Sequence, residues 1–290
     1  MPVLNFCRMV AEKICSEHNQ HVTLMIVAPT GAGKSWSGIA IGELVAQFVA
    51  EIKGGKDTDY FSPENIAIIT QQEIIRLLKD KLDVRHSVIG FDDIGVGWNA
   101  RNFMNEFNKT MNDIYQTFRT RNCFLYVTLP DPRLIDVVPR DMVKYIMEVH
   151  SSNHDNGYVT CKIFEVAKNM RKQTKLYPYI MDYSGNKIKR HIIYAPSPVY
   201  TVPYEVRRTA IEKMNSDNAI ASLQTILTEQ VADTTGAKNE AKIQSTNDQK
   251  YLIVKEIVSR FHVMKKEAME IANLPEREFY KRQEKDKIGT

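Results

Sequence analysis

The sequence predicts an α/β fold: a parallel central sheet extended by antiparallel strands, with a small all-helical module at the C-terminal end. Three observations predict it. Up to residue 150, short apolar runs alternate with helical patterns, the order that right-handed βαβ crossovers produce. Beyond it, "YVTCKIFEV" alternates like a half-exposed strand, and "YPYIMDYSGNKIKRHIIY" reads as a hairpin about "SGN". Helical periodicity then returns from Tyr204 and again over the last forty or so residues.

In chain order, Val3, Phe6, Val10 and Ile14 stand at helical spacing ahead of the first strand, "TLMIVA" (23–28). That strand is nearly all apolar, as expected where a parallel sheet is covered on both faces. "SGIAIGELVAQFVAEI" predicts a buried helix and "NIAIIT" (65–70) a short strand. Thr70 and Glu73 have capping-box spacing at the head of "QEIIRLLKDKL". A strand "SVIGF" (87–91), a helix from about 101 to 119, a strand "CFLYVTL" (123–129) and "YIMEVH" (145–150) complete the alternation. The predicted division is a nucleotide-binding domain over 1–202, a helical extension over 203–229, a polar linker over 230–247 and a helical module over 248–290.

Composition selects no special class: 43% hydrophobic and 26% charged residues are ordinary for a globular protein. The formal charge of +4 permits contact with a polyanion without arguing for one. The four cysteines form no CxxC pair and read as reduced thiols of a cytoplasmic protein. No run approaches the ~18 apolar residues of a membrane span, and with fewer than thirty residues ahead of the glycine loop no anchor is expected there.

The chemistry is carried by "APTGAGKS" (28–35), a Walker A pattern with Ala28 at its first position. Gly31 and Gly33 let the backbone turn its N–H groups around phosphates, with Pro29, Thr30, Ala32 and Trp36 completing the cradle. Lys34 supplies a point charge to the β and γ phosphates of ATP, and Ser35 a hydroxyl to Mg²⁺. The following helix aims its positive end at the same anion. "VIGFDD" (88–93) is a Walker B pattern, with Asp92 expected to hold Mg²⁺ alongside Ser35 and Asp93 to orient the attacking water. One strand lies between the two motifs, which leaves room for the inserted strand of the additional-strand division, the RecA-like P-loop NTPases; no guanine-reading NKxD is present.

"TGAGKS", then "FDDIGVGWNARNFMNEFNK", then "FRTRNCFLYVTLPDPRLIDVVPRDMVKYIMEV" resembles the HerA/FtsK superfamily of DNA-pumping ATPases, which includes Zot-like, viral packaging and conjugation motors. The resemblance spans roughly residues 22 to 150. It implies a ring-forming homo-oligomer, a hexamer, acting on DNA, with Thr128 as polar sensor and Arg119 or Arg121 reaching a neighbour's γ-phosphate. Two positions depart from the family pattern: Asp93 where Glu is commoner, implying slow hydrolysis or completion of the site by a neighbour, and Leu129 where the family has Gln. Arg140 in "VVPRD" is the finger that an AAA+ loader or initiator would use instead. Trp98, Arg101 and Lys109 follow Walker B, where a ring motor can meet a nucleic-acid backbone; the other reading is that Trp98, Phe103 and Phe107 are core or interface packing.

Residues 248–287 read as three short helices with Pro275 opening the last. Arg277, Lys281 and Arg282 on or near one face suggest a helix-turn-helix that contacts DNA; the other reading is a module that docks a protein partner.

Overall fold

Side chains of the apolar runs alternate between two helical layers, and both sets are buried. Leu24, Ile26, Val88, Phe124 and Tyr126 enter one buried cluster, while Met25, Ile89, Phe91, Leu125 and Val127 enter the other. A strand buried on both faces has no use for polar residues, which is why these runs carry almost none. The computed structural model describes residues 2–68, 70–81, 84–94, 113, 118–135, 137–169, 171, 174–234, 247–255, 258 and 265–288. They form two compact units, Met1–Glu212 and Lys213–Thr290.

In the first unit, α1 (Pro2–Cys15) precedes β1 (Val22–Val27), and α2 (Lys34–Lys53) and the short α3 (Asp57–Tyr60) lead to β2 (Ile66–Ile68). Next come α4 (Gln71–Lys81), β3 (Val88–Asp92), β4 (Phe124–Leu129), α5 (Val137–Asp141) and β5 (Tyr145–Asn153). β6 (Tyr158–Glu165), β7 (Ala167–Asn169), β8 (Thr174–Leu176) and β9 (His191–Tyr194) follow, then the long helix α6 (Pro198–Thr234). The main sheet has the order β2-β3-β4-β1-β5-β6-β9. β2, β3, β4, β1 and β5 run parallel; β6 and β9 extend the sheet antiparallel. This is the mixed architecture expected, and β4 is the strand inserted between β1 and β3.

Local signals account for the ends. Val3, Phe6, Val10 and Ile14 are all buried along α1, with Phe6 edge-on to Tyr145 at 5.3 Å. The hydroxyl of Thr70 accepts from Glu73 N at 3.3 Å, capping α4. Asp182 N donates to Asn186 O and Ile188 N to Ile180 O, closing the hairpin about "SGN". Trp98, Arg101 and Lys109 fall outside the described residues, as does the expected helix over 101–119 except for Asp113, which is helical, and its last positions, where Phe118–Arg121 form a 3-10 turn.

Two boundaries differ from expectation. α6 begins at Pro198, before the predicted break at 202/203, because Pro198 suits a first helical turn and the carbonyl of Ser197 takes the N–H groups of Tyr200 and Thr201. It also runs to Thr234, into the stretch read as linker, since no glycine interrupts it before Gly236. The second unit holds α7 (247–255), α8 (Lys265–Ile271) and α9 (Glu276–Ile288) around Tyr251, Val254, Ala268, Met269, Leu274 and Phe279.

Candidate nucleotide site

The glycine loop, Asp92, Asp93 and Thr128 of the first unit's candidate site sit at the carboxyl ends of parallel strands, where open α/β sheets bind ligands. After β1 the chain turns through residues 28–33 into α2. Gly31 and Gly33 have φ of 81° and 84°, left-handed values that favour glycine. At Gly33 a Cβ would also stand 2.9 Å from Val159 Cγ1, so the loop lies directly on β6. Lys34 Nζ donates to the Pro29 carbonyl at 2.9 Å and Ser37 Oγ to the Gly33 carbonyl at 2.8 Å, closing the loop on itself. Lys34 is buried, and burial lowers its pKa against the opposing pull of Asp93 and Asp92. Pro29 and Thr30 are exposed and Ala32 packs against the core; Trp36 is exposed, its indole N–H donating to Glu205 at 2.7 Å.

β3 delivers Asp92 and Asp93 beside this loop, and β4 delivers Thr128. The Thr128 hydroxyl donates to Asp92 Oδ1 at 2.6 Å and accepts the N–H of Asp93 at 2.9 Å. Asp92 is buried, with its other oxygen, Oδ2, taking the Tyr204 hydroxyl at 2.5 Å. Asp93 turns out of the strand at φ 49°, a left-handed value that residues with a side chain seldom adopt. Burial raises the pKa of Asp93, as does the neighbouring Asp92; Arg208 and Lys34 act against them.

Tyr204 and Arg208 are the residues the sequence reading missed. Both stand on the first part of α6, and with Glu212 they follow one another at i, i+4 spacing along a single helix face. That spacing is visible in the sequence; what it faces is not. Arg208 Nη1 donates to Ser35 Oγ and to the Tyr204 hydroxyl, both at 3.3 Å, and Nη2 donates to Asp93 Oδ2 at 3.3 Å. Its Nε is held by Glu212 at 2.7 Å. Burial, reinforced by Asp92, pushes the pKa of Tyr204 up.

Around these groups lies a cavity of about 430 Å³. One part of its lining is the glycine loop with Lys34 and Ser35, together with Asp93 and Arg208. The other is the β5–β6 turn and β9, including Asn153, His154, Tyr158 and Tyr194. The two tyrosines meet edge to face, 6.1 Å between ring centroids. The cavity is therefore lined by charged groups together with aromatic rings.

Other predicted residues lie elsewhere. Arg119 and Arg121 belong to the 3-10 turn that enters β4 at its amino end, the edge of the sheet opposite the phosphate loop. Arg140 is on α5. In the second unit Arg277 and Lys281 are exposed on α9, but Arg282 is not the surface cation expected. It is buried, bonded to Asp248 at 2.5 Å and to Glu278, because the small module needs a polar strap between its first and last helices.

No family model matches the chain, and no curated protein does. Among solved structures it is similar to the N-terminal domain of zonular occludens toxin from Neisseria meningitidis: 13% identity, TM-score 0.37, covering 57% of this chain and 96% of that one. It is also similar to the genome packaging NTPase B204 from Sulfolobus turreted icosahedral virus 2, solved with ATP-gammaS: 8% identity, TM-score 0.32, covering 56% and 98%. A third similarity, to RuvB from Thermotoga maritima, has 15% identity and TM-score 0.30 over 51% of this chain and 41% of that one.

Proposed function

We propose that the chain is an ATPase whose first unit binds ATP with Mg²⁺ and hydrolyses it, and that it works as a HerA/FtsK-type motor on DNA. The observation that carries the ATPase reading is that Lys34, Ser35 and Asp93 line one cavity, with Asp92 and Thr128 buried behind Asp93 in a shared hydrogen-bond network, all from the ends of three adjacent strands. The triphosphate lies along the loop and the positive end of α2, with Lys34 on its outer phosphates. The base lies against Tyr158 and Tyr194, since a nucleotide is charged at one end and aromatic at the other.

Mg²⁺ fits the donor set. Ser35 and Asp92 both lie against the Tyr204 hydroxyl, so an alcohol and a carboxylate oxygen approach one point. One carboxylate, one hydroxyl and substrate phosphates are what this hard cation takes. When bound, it neutralises charge on the outer phosphates. Thr128 holds Asp92 in place and fixes the backbone of Asp93, whose carboxylate orients water at the terminal phosphate.

The motor reading is supported by the sequence resemblance, which also suggests a ring in which Arg119 or Arg121 serves a neighbouring subunit. The second unit is the docking element for DNA or for a protein partner, with Arg277 and Lys281 as the cations it can offer. Asp93, one methylene shorter than the usual glutamate, favours a slower nucleotide switch as the second reading. ATP hydrolysis measured with and without long double-stranded DNA, with Lys34→Ala as blank, tests both. Stimulation that grows with DNA length supports the motor; tight ATP binding with slow, DNA-indifferent turnover supports the switch.

A further inference from the structure

We propose that Arg208 is a catalytic arginine supplied in cis: it takes the terminal phosphate of the nucleotide held by the loop, and Glu212 is its positioning residue. This rests on the nucleotide reading above but needs no ring and no neighbouring subunit.

The first observation is how firmly the helix is seated. Around Arg208, α6 and the residue just before it are tied at four separate points to α2, α3, β3 and α4 of the first unit. Ser197 N donates to Glu43 at 2.9 Å and the Tyr200 hydroxyl to Asp57 at 3.1 Å. The Tyr204 hydroxyl reaches Asp92, and Arg207 pairs with Glu73 at 3.0 Å while also donating to the carbonyls of Pro63 and Ile66. Arg208 thus projects from a rigid element rather than from a loop, as precise placement of a reacting group requires.

The second observation is how the guanidinium is turned. Its Nε is committed to Glu212 by a short contact of 2.7 Å, whereas all three contacts of its Nη groups, to Ser35, Tyr204 and Asp93, are long, at 3.3 Å. Charge-assisted bonds of this type are normally about 2.7–2.9 Å. Glu212 therefore fixes the group from behind while the two Nη donors face the phosphate end of the cavity, held weakly. A phosphate oxygen pair matches that fork in a way a lone hydroxyl does not.

Exchange of Asp93 for phosphate has a second consequence. The Nη2 bond to Asp93 Oδ2 ties up an oxygen of the carboxylate assigned to water, and moving Nη2 to a phosphate frees that oxygen. The same side chain would then report that a triphosphate is present and release the group that acts on it. A purely structural Arg208 would tether α6 through Asp93 and Glu212 and treat di- and triphosphate alike.

The test is calorimetric binding of a non-hydrolysable ATP analogue and of ADP, each with Mg²⁺, to the full chain and to Lys34→Ala, Arg208→Ala, Arg208→Lys and Glu212→Gln. Arg208→Ala is expected to weaken the analogue by about tenfold or more, the worth of one charge-assisted contact, while ADP shifts less than about twofold. Arg208→Lys keeps charge without the fork and falls between; Glu212→Gln moves the same ratio by less. An unchanged analogue-to-ADP ratio in Arg208→Ala, or an equal loss for both ligands, overturns the proposal. Should Arg208→Ala lack a cooperative melting transition, the ratios of Arg208→Lys and Glu212→Gln decide by the same criterion. A wild-type chain that binds neither ligand, or a Lys34→Ala chain that binds both unchanged, removes the nucleotide reading and this proposal with it.

Discussion

Tyr204 and Asp92, 112 residues apart in sequence, share a buried hydrogen bond of 2.5 Å. It ties the first turns of α6 to the end of β3. Removing the donor in Tyr204→Phe is expected to lower unfolding free energy by about 2 kcal/mol, the usual worth of a bond to a charged group. A double-mutant cycle with Asp92→Asn, read by urea denaturation, should give a coupling of about 1 kcal/mol or more. Additive effects would mean that the contact does not hold the helix.

Thr128 serves both acidic residues at once, donating to Asp92 and accepting from Asp93 N. Thr128→Val keeps the shape but strands a backbone N–H at a residue already at φ 49°. The expected cost is about 2–3 kcal/mol, with Thr128→Ser recovering most of it. Turnover should fall in step for the valine variant and persist for the serine variant.

Tyr126 fills the space that two glycines leave open: a Cβ on Gly90 would stand 2.4 Å from its ring and hydroxyl, and one on Gly38 2.5 Å from its ring. Gly90→Ala should therefore destabilise the first unit by about 3 kcal/mol through overpacking. The hydroxyl itself is buried and has no hydrogen-bond partner among the described residues, so Tyr126→Phe is expected to be neutral or stabilising by up to about 1 kcal/mol. In thermal melts Gly90→Ala lowers the midpoint while Tyr126→Phe leaves it unchanged or raises it; a lowered midpoint for Tyr126→Phe, or an unchanged one for Gly90→Ala, would mean the packing account is wrong.

If the base stacks on the aromatic wall, Tyr158→Ala should raise KM for ATP roughly three- to tenfold with kcat nearly unchanged, since an aromatic pair is worth about 0.5–1.5 kcal/mol. Michaelis curves for Tyr158→Ala and Tyr194→Ala distinguish this from a base bound elsewhere, which leaves both KM values alone.

His191, on β9, is fully buried, and neither ring nitrogen has a hydrogen bond among the described residues. Burial pushes its pKa from the ordinary 6.5 down to about 4. Between those values the unfolded chain takes a proton that the folded chain refuses. Stability is therefore complete above pH 6.5 and lost as pH falls toward 4, by about 3 kcal/mol in all. His191→Leu should flatten the dependence of unfolding free energy on pH across that window.

The sequence by itself determined what short-range chemistry can encode. Gly31, Gly33, Lys34 and Ser35 were legible as a tight turn from a strand into a helix, because glycine supplies φ near +80° and a helix start supplies free N–H groups. The doubly buried strands were legible as apolar runs, and the cap of α4 as Thr70 and Glu73. Only the tertiary structure decided that β4 sits between β1 and β3, which sets Thr128 against Asp92, and that α6 returns across the site with Tyr204 and Arg208. It also showed that Arg282, one of the cations read as a DNA contact, is an internal strap. The physical reason is the same in each case. A hydrogen bond between residues 36, 112 or 115 positions apart depends on how layers stack and helices cross, and no local propensity records which side chain will stand opposite.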